Sequence, residues 1–278
     1  MDMLHLGFLA MKNEFIDYWQ KRLRLLDVHY HARPDSFFRR YSAHQVGCIY
    51  TENNSGVVLK SHLGSTAAIA TCLQEQNLAV FGSIVLNHST GGLSLRAIKT
   101  ALSEYQFPYQ PRLLVHLPTI ILTEHKTRLQ RSFATDYARE FYQHPISIVE
   151  ENGRLRQEIK EIIAFAEDHP IVLSSGHATK DATLRLIDAV SKTSGVNLML
   201  NQPANPMTGF SAAELKALGK QKWLYIEQCA LTYYLNYQTK EDMFSVLNEV
   251  HQVIYSSDLG QPDQPTITDW FIESEKWF

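Results

Sequence analysis

The chain has 278 residues, 45% hydrophobic and 20% charged, which suits one large domain or two small ones with ample core. Its formal net charge is -3 with no basic or acidic block, so neither nucleic acid nor an anionic membrane is an expected partner. Cys48, Cys72 and Cys229 have no paired spacing, which excludes a disulfide framework or cysteine metal knuckle and favours a reducing, cytoplasmic setting.

In chain order, the N-terminal "MDMLHLGFLAMKNEF" holds a short apolar run without a basic leader or cleavage site, and does not read as a signal peptide. No apolar run approaches the length of a membrane span. β-rich runs then alternate with helical patterns. The runs are "LLDVHYH" (25–31), "GVVLKSH" (56–62), "AVFGSIVLN" (79–87), "RLLVHLP" (112–118), "PIVLSSGH" (170–177), "VNLMLN" (196–201), "KWLYIEQ" (222–228) and "QVIYSSDLG" (252–260). Most are apolar up to a polar tip, as expected of parallel strands buried on both faces. Helices are expected at 67–77, 94–105, 155–168, 179–192, 211–219 and 240–250, with a capping box from Ser211 to Glu214. Eight such units point to a single (β/α)8 barrel domain over 1–278. The competing doubly wound sheet usually carries a Gly-rich turn after its first strand, where this chain has His-Tyr-His. The connection at about 119–153 is unusually long and is expected to be an active-site lid or interface element.

Barrel chemistry sits at the C-terminal strand ends. Of twelve histidines, His29, His31, His62, His116 and His177 fall at the inward phase of a strand tip. The other tips carry Lys60, Asn87, His88, Asn201, Glu227 and Asp258. In a strand, His29 and His31 point the same way, and barrel closure sets Asp258 beside them. Two imidazoles, a carboxylate and an open position form a catalytic metal arrangement. The metal lowers the pKa of its water, and Asp258 takes the proton as hydroxide attacks.

The ordered set "DVHYHARPDSFFRR", "VLKSH", "VLNHSTGG", "HLPT", "GHAT" and "SSDLGQ" resembles the amidohydrolase superfamily of metal-dependent hydrolases, and more narrowly an uncharacterised amidohydrolase-like family, over about residues 25–270. The resemblance implies that His29, His31, His177 and Asp258 are metal ligands. Where the superfamily often has a carboxylated Lys or a Glu on strand 4, this chain has His116, with Lys60 on strand 2 as a carbamate ligand or a substrate-anion site. Where it usually has a strand 6 His, this chain has Asn201, a poor ligand for zinc.

The expected cofactor is therefore one or two divalent ions, zinc first, with manganese, nickel and iron as alternatives. Arg33, Asn87, His116, Asn201 and Glu227 are the candidate substrate-binding residues, Arg33 through a substrate carboxylate. Arg39 and Arg40 are expected on a helix surface, and His62 and His88 as loop residues. The expected activity is hydrolysis of an amide, ester, lactone or related bond in a small molecule, with homo-oligomerisation left open. Competing readings are a barrel that binds metal or ligand without turnover, and a histidinol-phosphatase-like phosphoesterase. The latter lacks its closing Asp-x-His here.

Overall fold

The computed structural model describes residues 14–278. The stretch read above as not being a signal peptide lies almost wholly in residues 1–13, outside the described residues. A helical segment at 14–20 leads into β1 (Leu25–Tyr30), α1 (Ala43–Glu52), β2 (Ser55–Leu59), α2 (Ala67–Gln74), β3 (Val80–Phe81) and β4 (Ser83–Val85). Then come α3 (Leu95–Glu104), β5 (Leu113–His116), α4 (Asp136–Tyr142), α5 (Gln157–Glu167), β6 (Ile171–Ser174), α6 (Lys180–Val190) and β7 (Leu198–Leu200). The chain closes with α7 (Ala212–Leu218), β8 (Leu224–Cys229), α8 (Ala230–Tyr234), α9 (Lys240–Glu249), β9 (Val253–Ser256) and α10 (Ile267–Trp277). Among the described residues no helix is long and apolar enough to cross a membrane, and the three cysteines are free.

This is a mixed α/β protein with parallel sheets. One sheet runs β1-β2-β3 and the other β4-β5-β6-β7-β8-β9, each in chain order. The strands form because their residues are apolar and buried on both faces: β2 and β7 are buried throughout. The run expected as one strand at 79–87 is broken at Gly82, which separates β3 from β4. A Cβ there would meet the Ala67 Cα at 2.9 Å, and its N–H donates to the Tyr105 hydroxyl at 3.1 Å rather than to a neighbouring strand. Beyond β9 the chain returns to β1: Tyr30 and Leu259 form a parallel bridge, Asp258 N–H donates to His29 C=O at 2.8 Å, and His31 N–H donates to Leu259 C=O at 2.9 Å.

All six helices expected from periodicity are present, as is the Ser211–Glu214 capping box. Neither α1 nor α10 was among them. The α1 sequence "AHQVGCIYTE" mixes Gly, Val, Ile and Tyr, all weak helix formers. Its helicity is decided by the Ser42–Gln45 capping box and by burying Ala43, Val46, Gly47 and Tyr50, one helical face.

A cavity of about 580 Å³ opens at the N-terminal strand ends. Val28, Val58, Phe81, Leu114, Val172, Met199, Tyr225 and Ile254, from both sheets, contribute to its wall, with Phe15 and Trp19 from the segment at 14–20.

Candidate metal centre

The HxH stretch is positioned by an irregularity in β1. Asp27 pairs with Val57 and Tyr30 with Leu59, so β1 carries one residue more than β2 over this span. Such a bulge re-aims side chains. Val28 lines the apolar cavity, yet the next residue, His29, points into the polar cluster with His31. Asp27 is the brace rather than a ligand. It accepts from the Tyr50 hydroxyl at 2.5 Å and from Ser257 N–H at 3.0 Å, tying β1 to α1 and to the segment after β9. That segment turns tightly: Asp258 has φ +53 and Gly260 φ +123. A Cβ on Gly260 would lie 1.9 Å from His31 C=O, so only glycine permits the approach.

The result is a compact triad. His29 Nε2 lies 3.0 Å from Asp258 Oδ1, His31 Nε2 lies 3.3 Å from the same oxygen, and the two Nε2 atoms are 3.3 Å apart. Ligands at ~2.0–2.1 Å around a tetrahedral ion are separated by roughly 3.3–3.4 Å, so the spacing fits one ion. Each imidazole is backed by a carboxylate on its other nitrogen. Glu227 Oε1 lies 3.0 Å from His29 Nδ1, and Asp35 Oδ2 lies 3.4 Å from His31 Nδ1. The second of these is too poorly aligned to count as a hydrogen bond. Burial would raise the Glu227 pKa, but His29 and Lys60 hold it down at about 2. An ionised carboxylate only accepts, so the His29 proton sits on Nδ1. In neutral His29 the Nε2 lone pair then faces the Asp258 oxygen, an acceptor against an acceptor, which a cation between them resolves. Metal-ligating histidines show this backing, which fixes tautomer and ring orientation. Without a cation the ring protonates instead: burial, the largest influence, and Lys60 lower its pKa, Asp258 and Glu227 together outweigh them, and the result is about 8.

Lys60 enters the same cluster. It is buried, its Nζ donates to Asn201 Oδ1 at 2.8 Å, and it lies 3.1 Å from His29 Nε2. Burial lowers its pKa despite Asp258 and Glu227. Asn201 has both ends engaged, since its Nδ2 donates to Glu227 Oε2. Glu227 also accepts from Ser256 Oγ and Gln202 N–H, each at 2.8 Å.

The other expected residues fall in four different places. His177 stands apart from the triad, its Nε2 2.9 Å from the Gln202 amide nitrogen, but it faces the same cleft. His116 is buried beside His29, ring centres 6.2 Å apart, with Nδ1 on Ser174 Oγ and Nε2 unpartnered. Burial, then Lys60, keep both imidazoles well below the ordinary histidine pKa and hence neutral. Asn87 is a staple. Its Oδ1 accepts from Thr119 and Ile120 N–H at 2.8 and 3.1 Å, and its Nδ2 donates to His62 C=O. Arg33 is exposed, with its guanidinium 5.7 Å from the Phe38 ring centre, and is not brought to the cluster.

Several residues belong here that periodicity does not single out. His62, expected as a loop residue, is buried and stacks on His31 with ring centres 4.8 Å apart; His88 is exposed. Arg39, expected on a helix surface, is buried and pairs with Asp35 at 2.6 Å. Burial opposes the Asp35 charge, but Arg39 holds its pKa well below the ordinary value. His31, Asp35 and His62, and likewise His29, Glu227 and Cys229, are further groups close enough to hold an ion. The signal for Asp35 and Arg39 was an i, i+4 acid–base pair directly after the HxH.

Above the triad lies a cleft of about 80 Å³. The long connection forms one wall through Thr119, Ile121, Thr123, His125, Leu129, Arg131 and Tyr142. His31, His62, His177, Gln202 and Asp258 form the other. Fold and site together define a parallel α/β protein with a buried His/Asp cluster that could hold a metal ion. The chain belongs to a family of unknown function, DUF6282, whose model it matches over residues 24–227. The match takes in the HxH, Lys60, His177, Asn201 and Glu227 and stops short of Asp258. No curated protein matches the chain.

Proposed function

We propose that the protein is a metal-dependent hydrolase of the amidohydrolase type, acting on an amide, ester, lactone or related bond in a small molecule. The observation that carries this is the pair of carboxylate-backed imidazoles turning their Nε2 atoms toward Asp258 beside a cleft. The two sheets are read as one (β/α)8 barrel. Its support is that only Gly82 interrupts β3 and β4, and that the chain after β9 hydrogen bonds to β1.

His29, His31 and Asp258 would hold the ion, a two-nitrogen, one-oxygen set that suits zinc, with manganese, nickel or iron as alternatives. When bound, the ion supplies Lewis acidity, lowering the pKa of a coordinated water towards ~7 and polarising a carbonyl. Of the three carboxylates around the imidazoles, Asp258 alone lines the cleft, so it is the proton acceptor. Glu227 orients the His29 ring through its hydrogen bond, and Asp35 lies beside His31 Nδ1 without one. Lys60, buried outside the cleft lining, holds Asn201 and lies beside His29 Nε2, and His177 faces the substrate. With both ends of Asn201 engaged, one ion is favoured over two.

Turnover of an amide, ester, lactone and phosphoester panel by zinc-loaded protein tests the reading. Turnover lost with the metal and restored by it is expected. A fully loaded protein inert on every class contradicts hydrolysis and leaves a barrel that binds without turnover.

A further inference from the structure

We propose that Arg131 is the anchor for a negatively charged group of the substrate, so that the cleft takes a small molecule bearing an oxyanion, carboxylate or phosphate. This rests on reading the cleft as the hydrolase site and names its substrate class.

Arg131 comes from the long connection and lines the cleft together with Asp258 and His31. It is held there by built structure rather than by a free loop. Phe37 and Phe133 form an antiparallel bridge, Phe38 N–H donates to Ser132 C=O, and Ala134 N–H donates to Ser36 C=O, each at 2.9 Å. The Phe37 and Phe133 rings stack at 5.0 Å, and the Arg131 guanidinium lies 4.9 Å from the Phe37 ring centre. The segment that follows the HxH thus fixes the part of the long connection that delivers Arg131.

The cation lacks a partner. Arg39, nearby, is neutralised by Asp35 at 2.6 Å. Arg131 closes no ion pair among the described residues, and its Nε is buried without a hydrogen-bond partner. A buried donor left unmade is costly, and a guanidinium fork matches a carboxylate or phosphate in two-point geometry. Burial and Arg39 weigh against its charge, while Tyr142, Asp258 and Asp35 favour it. A bound oxyanion would tip that balance. The cleft, about 80 Å³, is well below the ~300–1,000 Å³ of sites for drug-sized ligands, which limits the occupant to a small molecule. Arg33, the cation expected from the sequence, is exposed and serves as a control.

The test is calorimetric titration of zinc-loaded protein with inorganic phosphate and, separately, acetate. Arg131→Met should weaken binding of at least one anion by about 10- to 100-fold, the range for a lost charge-assisted hydrogen bond. Arg131→Lys should recover part of it, and Arg33→Met should change nothing. The preferred anion tells phosphate from carboxylate. Equal affinity in wild type and Arg131→Met, or no binding of either anion to wild type, overturns the proposal. If Arg131→Met fails to fold, phenylglyoxal labelling of wild type decides. Phosphate or acetate should protect Arg131, whereas labelling insensitive to both, or no labelling, overturns it. Failure of the metal reading is distinguishable. Protein that takes no zinc but binds the anion through Arg131 keeps this inference and loses that one, and zinc binding with anion affinity indifferent to Arg131 does the reverse.

Discussion

Six strands each send one side chain into the apolar cavity and another, two residues on, into the polar cluster. The pairs are Val58 and Lys60, Leu114 and His116, Val172 and Ser174, Met199 and Asn201, Tyr225 and Glu227, and Ile254 and Ser256. Period-two alternation puts both members on the same face, so the N-terminal and C-terminal ends of one strand set face different problems. At the N-terminal end the side chains offer only apolar contact, and Val28, Leu114, Val172, Tyr225 and Ile254 stand half-buried around the cavity. At the C-terminal end most polar groups find partners in one another, while His31 Nδ1 and His116 Nε2 find none. In β1 the two roles fall to adjacent residues, Val28 and His29, because the bulge shifts the phase. Stability and chemistry are therefore divided along the strands, and substitutions at the two ends should fail in different ways.

The largest effect is expected at the polar end. Asp258→Asn is nearly isosteric and should keep the fold, but an amide cannot accept a proton. In fully metal-loaded protein kcat should fall by roughly 10²–10⁴-fold. Steady-state kinetics checks this, and unchanged turnover would pass the role of base to another group. The apolar end should answer in stability instead. Phe81 packs against Phe15 and Trp19 at 6.0 and 5.0 Å, and Phe81→Ala should cost about 3–5 kcal/mol in denaturant unfolding. Its metal content should stay that of the wild type. Loss of metal in Phe81→Ala would show that the two ends are not separable.

Much of this division was legible in the sequence. Buried parallel strands announce themselves as apolar runs with polar tips, and His29, His31, Lys60, Asn201, Glu227 and Asp258 all stood at such tips. Their convergence follows from period two once strand order is fixed. What stayed hidden depends on contacts distant in sequence. Arg131 reaches the cleft because its neighbour Phe133 pairs with Phe37, and nothing local marks it. Arg39 looked like surface because burial of a guanidinium is visible only when Asp35 is seen beside it. The break at Gly82 had a sign, since a glycine inside a strand pattern marks a bulge or close approach, whereas the bulge in β1 is an answer to packing that its apolar run does not show.

A smaller effect should appear with pH. In metal-free protein His29 has a pKa of about 8 against an ordinary 6.5, a gap of about 2 kcal/mol. Because the folded value is raised, this contribution is complete below pH 6.5 and lost as pH rises through about 8. Metal-free protein should weaken across that window, and loaded protein should not, since Nε2 is then occupied. Phe81→Ala should keep the same profile at lower overall stability. A metal-free protein whose stability is flat from pH 6 to about 9 would remove the buried His29–Asp258 ion pair from the account.

The smallest effect concerns Lys60. As an ammonium 3.1 Å from His29 Nε2, it opposes a neighbouring cation, so Lys60→Met should raise metal affinity several-fold in a zinc titration, a modest gain because the buried charge is shared with Asp258 and Glu227. A fall in affinity, together with a wild-type response to bicarbonate, would make Lys60 a carbamate ligand instead.

The central claim is that the polar strand ends hold a metal, and elemental analysis of the purified protein tests it most directly. Wild type should carry at least one equivalent of zinc or a related divalent ion after dialysis. The His29→Ala and His31→Ala variants should lose it while remaining folded by circular dichroism. A wild-type protein that carries no metal and takes up none, or variants that keep the full complement, would contradict the account.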